Sequence, residues 1–454
     1  MGRRGEGVGR QDRLSYLQEL AAFACRTRLA DLPRQVVERT RWLVADSLPV
    51  IAAGMQQPEM QGFLKQHNPR AGKAWILGTR QRADALDAAL FNGTAGTWLE
   101  LNEGNLIAKG HPGIQVLPAA LALAQESGVS GEALLMAIAV GYETCSRISR
   151  AAQMKISVHP HGTWGTLGAA VAAGRLKGFD ESRMLELINV SATMGMATSR
   201  QTLLDGATVR NIFTGHSGYM GLMAARLVEC GFTGEKDAPA AIYGKVLGDG
   251  FDPAKASERE WILAQGYFKL HPTGRYVHSA IDALEDLLSR SGPLDLARIE
   301  RIDVKAYRLA AMLKEQRVTS SFGARFSVPF ALATILFHGH SGLAAFEQAA
   351  VDNPAIQALA ARVHVQEDES YTARYPAEQV CDVRIVTAGK ALEGRCTITK
   401  GEPSKPHRPE ELRAKFLQLG APLWTEPVAQ RLLEGCLRLE QLPDFSRFAE
   451  GFDL

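Results

Sequence analysis

The sequence predicts a mainly α protein, with a large all-helical domain followed by a smaller α+β domain. Three observations carry that reading. From Leu14 to about Ser257 the chain is rich in alanine, leucine and methionine, with apolar residues three and four apart, the helical period. After about Gly266, "ARIERIDVKAYRLA" and "QVCDVRIVTAGKALEGRCTITKGEP" alternate β-branched with polar residues, as half-buried strands do. From Arg408 onward, "RPEELRAKFLQLGAPLW" and "AQRLLEGCLRLEQL" return to the helical period.

The opening "MGRRGEGVGRQDR", residues 1–13, is basic and glycine-rich without apolar periodicity, so a disordered lead-in is expected there. Residues 14–265 form the predicted helical domain, with helices over 33–54, 83–100 and 131–152, where dense alanine lets helix axes approach closely. Residues 266–405 form the predicted α+β domain. Its two alternating runs flank Ala388-Gly389-Lys390 and read as a β-hairpin, and helices are expected over 326–337 and 342–352. Residues 406–454 are expected to pack back on the helical domain. A chain of 454 residues is long enough for two or three such units.

Composition excludes several function classes. Apolar residues at 46%, charged residues at 22% and a net charge of +2 leave no basic footprint for nucleic acid. The longest apolar runs, "GIQVLPAALALA" and "ALLMAIAV", fall short of the ~20 residues that cross a bilayer, and no signal-peptide core opens the chain. A cytoplasmic protein with neither nucleic-acid nor membrane partners is expected. Its six cysteines, Cys25, Cys145, Cys230, Cys381, Cys396 and Cys436, show no C-x-x-C spacing and are expected to be reduced.

The candidate chemistry lies in four segments. In "SVHPHGTWGTLGAAVAAGRLKG", Gly162, Gly165 and Gly168 lack the preceding strand and the G-x-G-x-x-G spacing of a dinucleotide site, which favours close helix packing. Pro160 fixes the backbone where a helix should begin, setting His159 and His161 beside exposed amide groups. That arrangement suits a carboxylate, with an imidazole at hand for proton transfer; a hydrogen-bonded core histidine is an equally ordinary outcome. The same device recurs at His111-Pro112. Glu100 and Glu103 fall at a predicted helix C-terminus, where the dipole disfavours anions, so they call for a partner unless solvated. Finally, "AQGYFKLHPTGRYVHSAIDAL" concentrates Lys269, His271, Arg275 and His278 at the predicted domain boundary. It reads either as a polycarboxylate site or as an exposed basic loop. The H-x-H pair falls short of zinc spacing, so metal binding is not expected there.

Taken together, "NGTAGTWLELNEG", "GHPGIQVLPAALALA", "HPHGTWGTLGAAVAAG", "GATVRNIFTGHSGYMGLMAARLVECGFTG", "FKLHPTGRYVHSAIDA", "RFSVPFALATILFHG" and "KGEPSKP" resemble, in order, the MmgE/PrpD family. That family includes 2-methylcitrate dehydratase, cis-aconitate decarboxylase and iminodisuccinate epimerase. The resemblance covers nearly everything after Leu14. It implies a helical domain with an α+β lid, a homodimer, no metal or organic cofactor, and a small polycarboxylate handled between the domains. The implied activity is that of a lyase, either a 2-methylcitrate dehydratase-like hydro-lyase or a cis-aconitate decarboxylase-like carboxy-lyase. The alternatives are a dicarboxylate epimerase and a non-catalytic carboxylate-binding protein. By resemblance, His111, His159 and Lys269 are catalytic, while Arg210, Arg275, His278, Glu100, His161 and His271 bind substrate. On that basis Lys269, Arg210 and Arg275 hold carboxylates, His159 exchanges a proton at carbon, and His111 stabilises charge or assists the departing group.

The chain departs from the family pattern at three places. Thr97, Glu100, Asn102 and Glu103 stand where members usually carry a histidine and three aspartates, Arg210 stands for a lysine, and Gly274 for a cysteine. Arginine is no proton donor near neutrality, so Arg210 preserves the role if the family's lysine clamps a carboxylate, and the chemistry differs here if that lysine transfers protons.

Overall fold

Two separate hydrophobic clusters organise the chain in the computed structural model, which describes residues 8–453. The larger draws on residues 16–264 and again on residues 416–452, and the smaller on residues 277–396. The fold is mainly α: among the described residues only one sheet exceeds two strands.

The larger cluster is a body of stacked helices whose small residues set the spacing. The helices Gly131–Ala151 and Gly165–Leu176 cross where a Cβ on Gly168 would lie 2.6 Å from Cys145 Sγ, and one on Gly141 would lie 2.6 Å from the Gly168 carbonyl. The glycines after His161 therefore serve close packing, as their spacing predicts. The helix Ala85–Trp98 starts at Asp84, whose carboxylate accepts the Asp87 amide N–H, an N-cap that satisfies one otherwise unpaired donor. The first helix, Val8–Arg26, begins ahead of Leu14, where folding was expected to start; residues 1–7 of the expected lead-in lie outside the described residues.

The smaller cluster packs helices on a four-stranded sheet. In space the strands run Lys390–Cys396, Cys381–Thr387, Ile299–Ala306 and Val363–Glu367, with only the last pair parallel. The first two form a hairpin closed by Ala388 and Gly389, the latter at φ +81°, a left-handed conformation that glycine adopts without a Cβ clash. The helix expected over 342–352 is instead split into short turns, Leu343–Phe346 and Gln348–Val351. Glu347 between them is extended at ψ 167°, which breaks the helical ladder.

The C-terminal helices Pro409–Gly420 and Glu426–Leu437 return to the helical body, burying Phe416, Leu432 and Leu433 in its cluster. A buried ion pair pins them there. Lys415 Nζ donates to Asp46 Oδ1 at 2.6 Å and to the Leu101 carbonyl at 2.8 Å, beneath the loop that follows the Ala85–Trp98 helix. Among the described residues no helix is long and apolar enough to cross a membrane.

Breaking a buried pair from one side strands a charge, at a typical cost of about 3–5 kcal/mol, whereas replacing both partners by apolar groups is often neutral. Lys415→Met should therefore lower stability in urea unfolding by about that amount, and Asp46→Leu with Lys415→Met should recover most of it.

Candidate active site

Glu100 ends the Ala85–Trp98 helix in a left-handed conformation, φ +53°, rare for a residue with a Cβ. The turn drives its carboxylate inward, where it is 1% exposed. Three chain segments meet there. Glu100 Oε1 accepts from Arg210 Nη1, and Oε2 lies 3.3 Å from Lys269 Nζ. Burial alone would raise this carboxyl, but the guanidinium and the ammonium outweigh it and hold it at about 2. The same burial lowers Lys269 to about 8, against the pull of Glu100.

One face of this cluster opens into a cavity of about 340 Å³ between the helical body and the α+β unit. Its polar wall holds Glu100, His111, His159, His161 and Arg210, with Arg275 contributed from the domain junction. The opposite wall is apolar or aromatic: Tyr276, Leu309, Leu313, Phe326 and Tyr375. Gly274, where the resemblance expects a cysteine, also lines the cavity, and a Cβ there would lie 2.7 Å from the Phe326 ring. The ring occupies the space a larger side chain would need.

Backbone partners orient the histidine rings. His111 caps the Pro112–Ser127 helix, and its Nδ1 lies 2.5 Å from the Glu103 carbonyl, which can only accept. The proton therefore sits on Nδ1, leaving Nε2 with a free lone pair. Burial, then the nearby Lys269 charge, lowers this imidazole to about 3, so it is neutral at rest. His159 differs: its Nδ1 faces the His161 amide N–H at 3.1 Å and its Nε2 faces the Arg210 Nε–H at 3.4 Å, so donors stand at both ring nitrogens and a neutral ring accepts from only one of them. Burial and then the Arg210 charge push His159 well below the usual imidazole range. His161 packs edge to face against both rings, at 5.0 and 4.6 Å, and neither of its buried nitrogens has a protein partner.

Three residues expected at the site lie behind its walls. Lys269 is fully buried, and its ammonium is spent on the Glu100 carboxylate, the Glu100 carbonyl at 3.1 Å and the Thr273 carbonyl at 3.3 Å. His278 sits between the Thr273 carbonyl and Arg275, at 3.3 Å from each. His271 turns the other way, its Nδ1 2.6 Å from Ser341 Oγ. Arg275 itself reaches the cavity with its guanidinium over the Tyr267 ring at 4.2 Å, held by Glu402 at 2.6 Å.

Beside Glu402, four supporting residues were not anticipated. Gln115 accepts the Gly162 amide and the Ser217 hydroxyl, both at 3.0 Å, bracing the His159–His161 segment. Arg325 donates to the Leu99 and Pro272 carbonyls, joining the α+β unit to the turn at Glu100. Lys155 and Arg200 add positive charge to the cavity lining. A lone glutamine in the apolar run "GIQVLPAALALA" was the one legible signal among them.

Glu103 supports the site from below. Its carbonyl holds His111, and its buried carboxyl accepts the Gly113 amide at 2.5 Å. Burial, reinforced by Asp46, raises that carboxyl to about 8 from an ordinary 4.5. An acid raised on folding keeps a proton the unfolded chain has lost, so stability falls as pH rises between those values, by up to about 1.4 kcal/mol per pH unit. Urea unfolding at pH 5 and pH 8 should show this loss, and Glu103→Gln should remove it.

Comparison with known proteins fits this arrangement. The profile of the MmgE/PrpD N-terminal domain matches residues 18–252, and that of the MmgE/PrpD C-terminal domain matches residues 271–441. The chain is 25% identical to the cis-aconitate decarboxylase-like protein oryM of Aspergillus oryzae, over 94% of this chain and 95% of that protein. It is 24% identical to a cis-aconitate decarboxylase of Aspergillus terreus, over 95% and 94% of the two chains. Against the human cis-aconitate decarboxylase it is 26% identical over 74% and 73%. The chain belongs to the MmgE/PrpD family.

Proposed function

We propose that the protein is a lyase that removes carbon dioxide from a small unsaturated polycarboxylic acid. The observation that carries the reading is His111, with its Nε2 free, gathered with His159 and Arg210 in one cavity. The names of the similar proteins favour loss of carbon dioxide over loss of water.

One substrate carboxylate accepts the Arg210 Nε–H in place of His159 Nε2, so that the ring can turn an Nε2–H to the same oxygens, and a second meets Arg275. Because Glu100 and Glu402 already balance the two guanidiniums, they orient the acid more than they attract it. The remaining apolar part of the acid lies against Leu309, Leu313 and Phe326. Bound anionic charge favours the protonated form of the neighbouring His111, which is neutral in the free protein. Decarboxylation then exchanges a carbon–carboxylate bond for a carbon–hydrogen bond. The bonding pair stays on carbon as carbon dioxide leaves, with the developing charge spread onto the carboxylate at Arg210 and His159. His111 Nε2–H supplies the proton to that carbon and is reprotonated from solvent. Lys269 keeps Glu100, and through it Arg210, in place.

Dehydration is the second reading, favoured by one feature: a neutral His111 with a free Nε2 lone pair is also a general base. The two differ in stoichiometry. Mass spectrometry of C4 to C7 di- and tricarboxylic acids before and after incubation should show a loss of carbon dioxide with uptake of one proton per turnover. A loss of water without proton uptake would establish dehydration instead, and mass-neutral solvent deuterium incorporation an isomerase. His111→Asn should reduce turnover by about 10²–10⁴-fold while preserving the unfolding midpoint. Undiminished turnover in that variant would remove His111 from the chemistry.

A further inference from the structure

On the far side of the Lys269–Arg275 loop from the cavity, His271, Asp282 and Glu285 bring one imidazole and two carboxylates together. Their nearest ligating atoms all lie within 4.8 Å of one another. His271 Nε2 is 3.9 Å from Asp282 Oδ1 and 4.0 Å from Glu285 Oε1. Asp282 is 5% exposed, and its Oδ1 has no hydrogen-bond partner, an expensive state for a buried carboxylate oxygen. Every other acceptor or donor in the group is already engaged so as to aim a free atom at the same point. Asp282 Oδ2 accepts the Lys400 amide at 2.6 Å, Glu285 Oε2 accepts from Lys400 Nζ at 2.6 Å, and His271 Nδ1 meets Ser341 Oγ at 2.6 Å.

We infer that His271 Nε2, Asp282 Oδ1 and Glu285 Oε1 form a binding site for a divalent transition-metal ion of the zinc type. One nitrogen and two oxygens are a donor set such ions accept, and three protein ligands leave a fourth position for water. Bonds of about 2.0–2.2 Å in a tetrahedron place ligand atoms roughly 3.4 Å apart, so His271 needs to approach each carboxylate oxygen by about half an ångström, and the two carboxylate oxygens, within 4.8 Å of each other, by up to about 1.4 Å. The Ser341 hydroxyl can accept the His271 Nδ1–H at 2.6 Å, the kind of outer contact a metal-bound imidazole makes while its Nε2 holds the ion. Lys400, by taking Glu285 Oε2, leaves Oε1 turned toward His271.

The site would act as a clasp. Asp282 and Glu285 belong to the helix His278–Ser291, and His271 to the loop whose Thr273 carbonyl receives both Lys269 and His278. An ion there ties the loop to that helix, outside the reacting cavity. This does not depend on which acid the protein transforms.

The test is a calorimetric titration of the chelator-stripped full chain with zinc chloride. One ion per chain is expected, with a rise in Tm on binding. Asp282→Asn and Glu285→Gln should each weaken binding by at least about tenfold, while Cys230→Ser, at an exposed thiol, should not. Glu285 is partly exposed, so its variant should fold even if the aspartate variant does not. X-ray absorption at the zinc edge on the unaltered protein should report nitrogen and oxygen ligands without sulfur. No binding at millimolar zinc, sulfur ligation, or unchanged affinity in Glu285→Gln would overturn the assignment.

Discussion

The buried carboxylate of Glu100 is the constraint on which the site rests. A carboxylate at a helix C-terminus and out of water is unfavourable on two counts, and both are offset by Arg210 and Lys269. Those partners come from segments 110 and 169 residues away in sequence, so forming the cluster fixes how the helical body meets the junction loop. Its net charge of one positive unit is what remains to greet an anion. Arginine at position 210 keeps its charge near neutrality, which fits the orienting role proposed for it.

Main-chain atoms orient both imidazoles in the cavity. The Glu103 carbonyl places the His111 proton on Nδ1, while the His161 amide and the Arg210 Nε–H stand at the two nitrogens of His159. Two chemically identical side chains thereby meet opposite surroundings, an acceptor at one and donors at the other. Main-chain partners hold the two rings more rigidly than flexible side chains could, because they are fixed by the helix start at Pro112 and by the Pro160 turn.

Much of this was legible in the sequence, for physical reasons that differ by feature. Alanine periodicity gives helices directly, and alternation with a Gly389 turn gives the hairpin, because both signals are local. The segment 342–352 carried helical spacing yet broke at Glu347, since short windows are settled by neighbours in space. Candidate site residues were found wherever chemistry-bearing types cluster. What single-sequence reading lacks is direction: nothing in "FKLHPTGRYVH" tells that Lys269 turns to Glu100, His271 to Ser341 and Arg275 to Glu402. Arg325 and Glu402 were missed for the same reason, as their partners lie far along the chain.

The α+β unit is an insertion in the helical body, since the same helical cluster is built from residues before it and after it. Two covalent strands therefore cross the boundary side by side. A unit held by one strand can swivel freely; one held by two is left with rocking about the line that joins its anchors, and the cavity lies along that seam. The same topology sets a schedule for biosynthesis, because the first 250 residues emerge with part of their core still unmade. That core is completed only when Phe416 to Phe452 leave the ribosome, after the whole of the inserted unit has emerged.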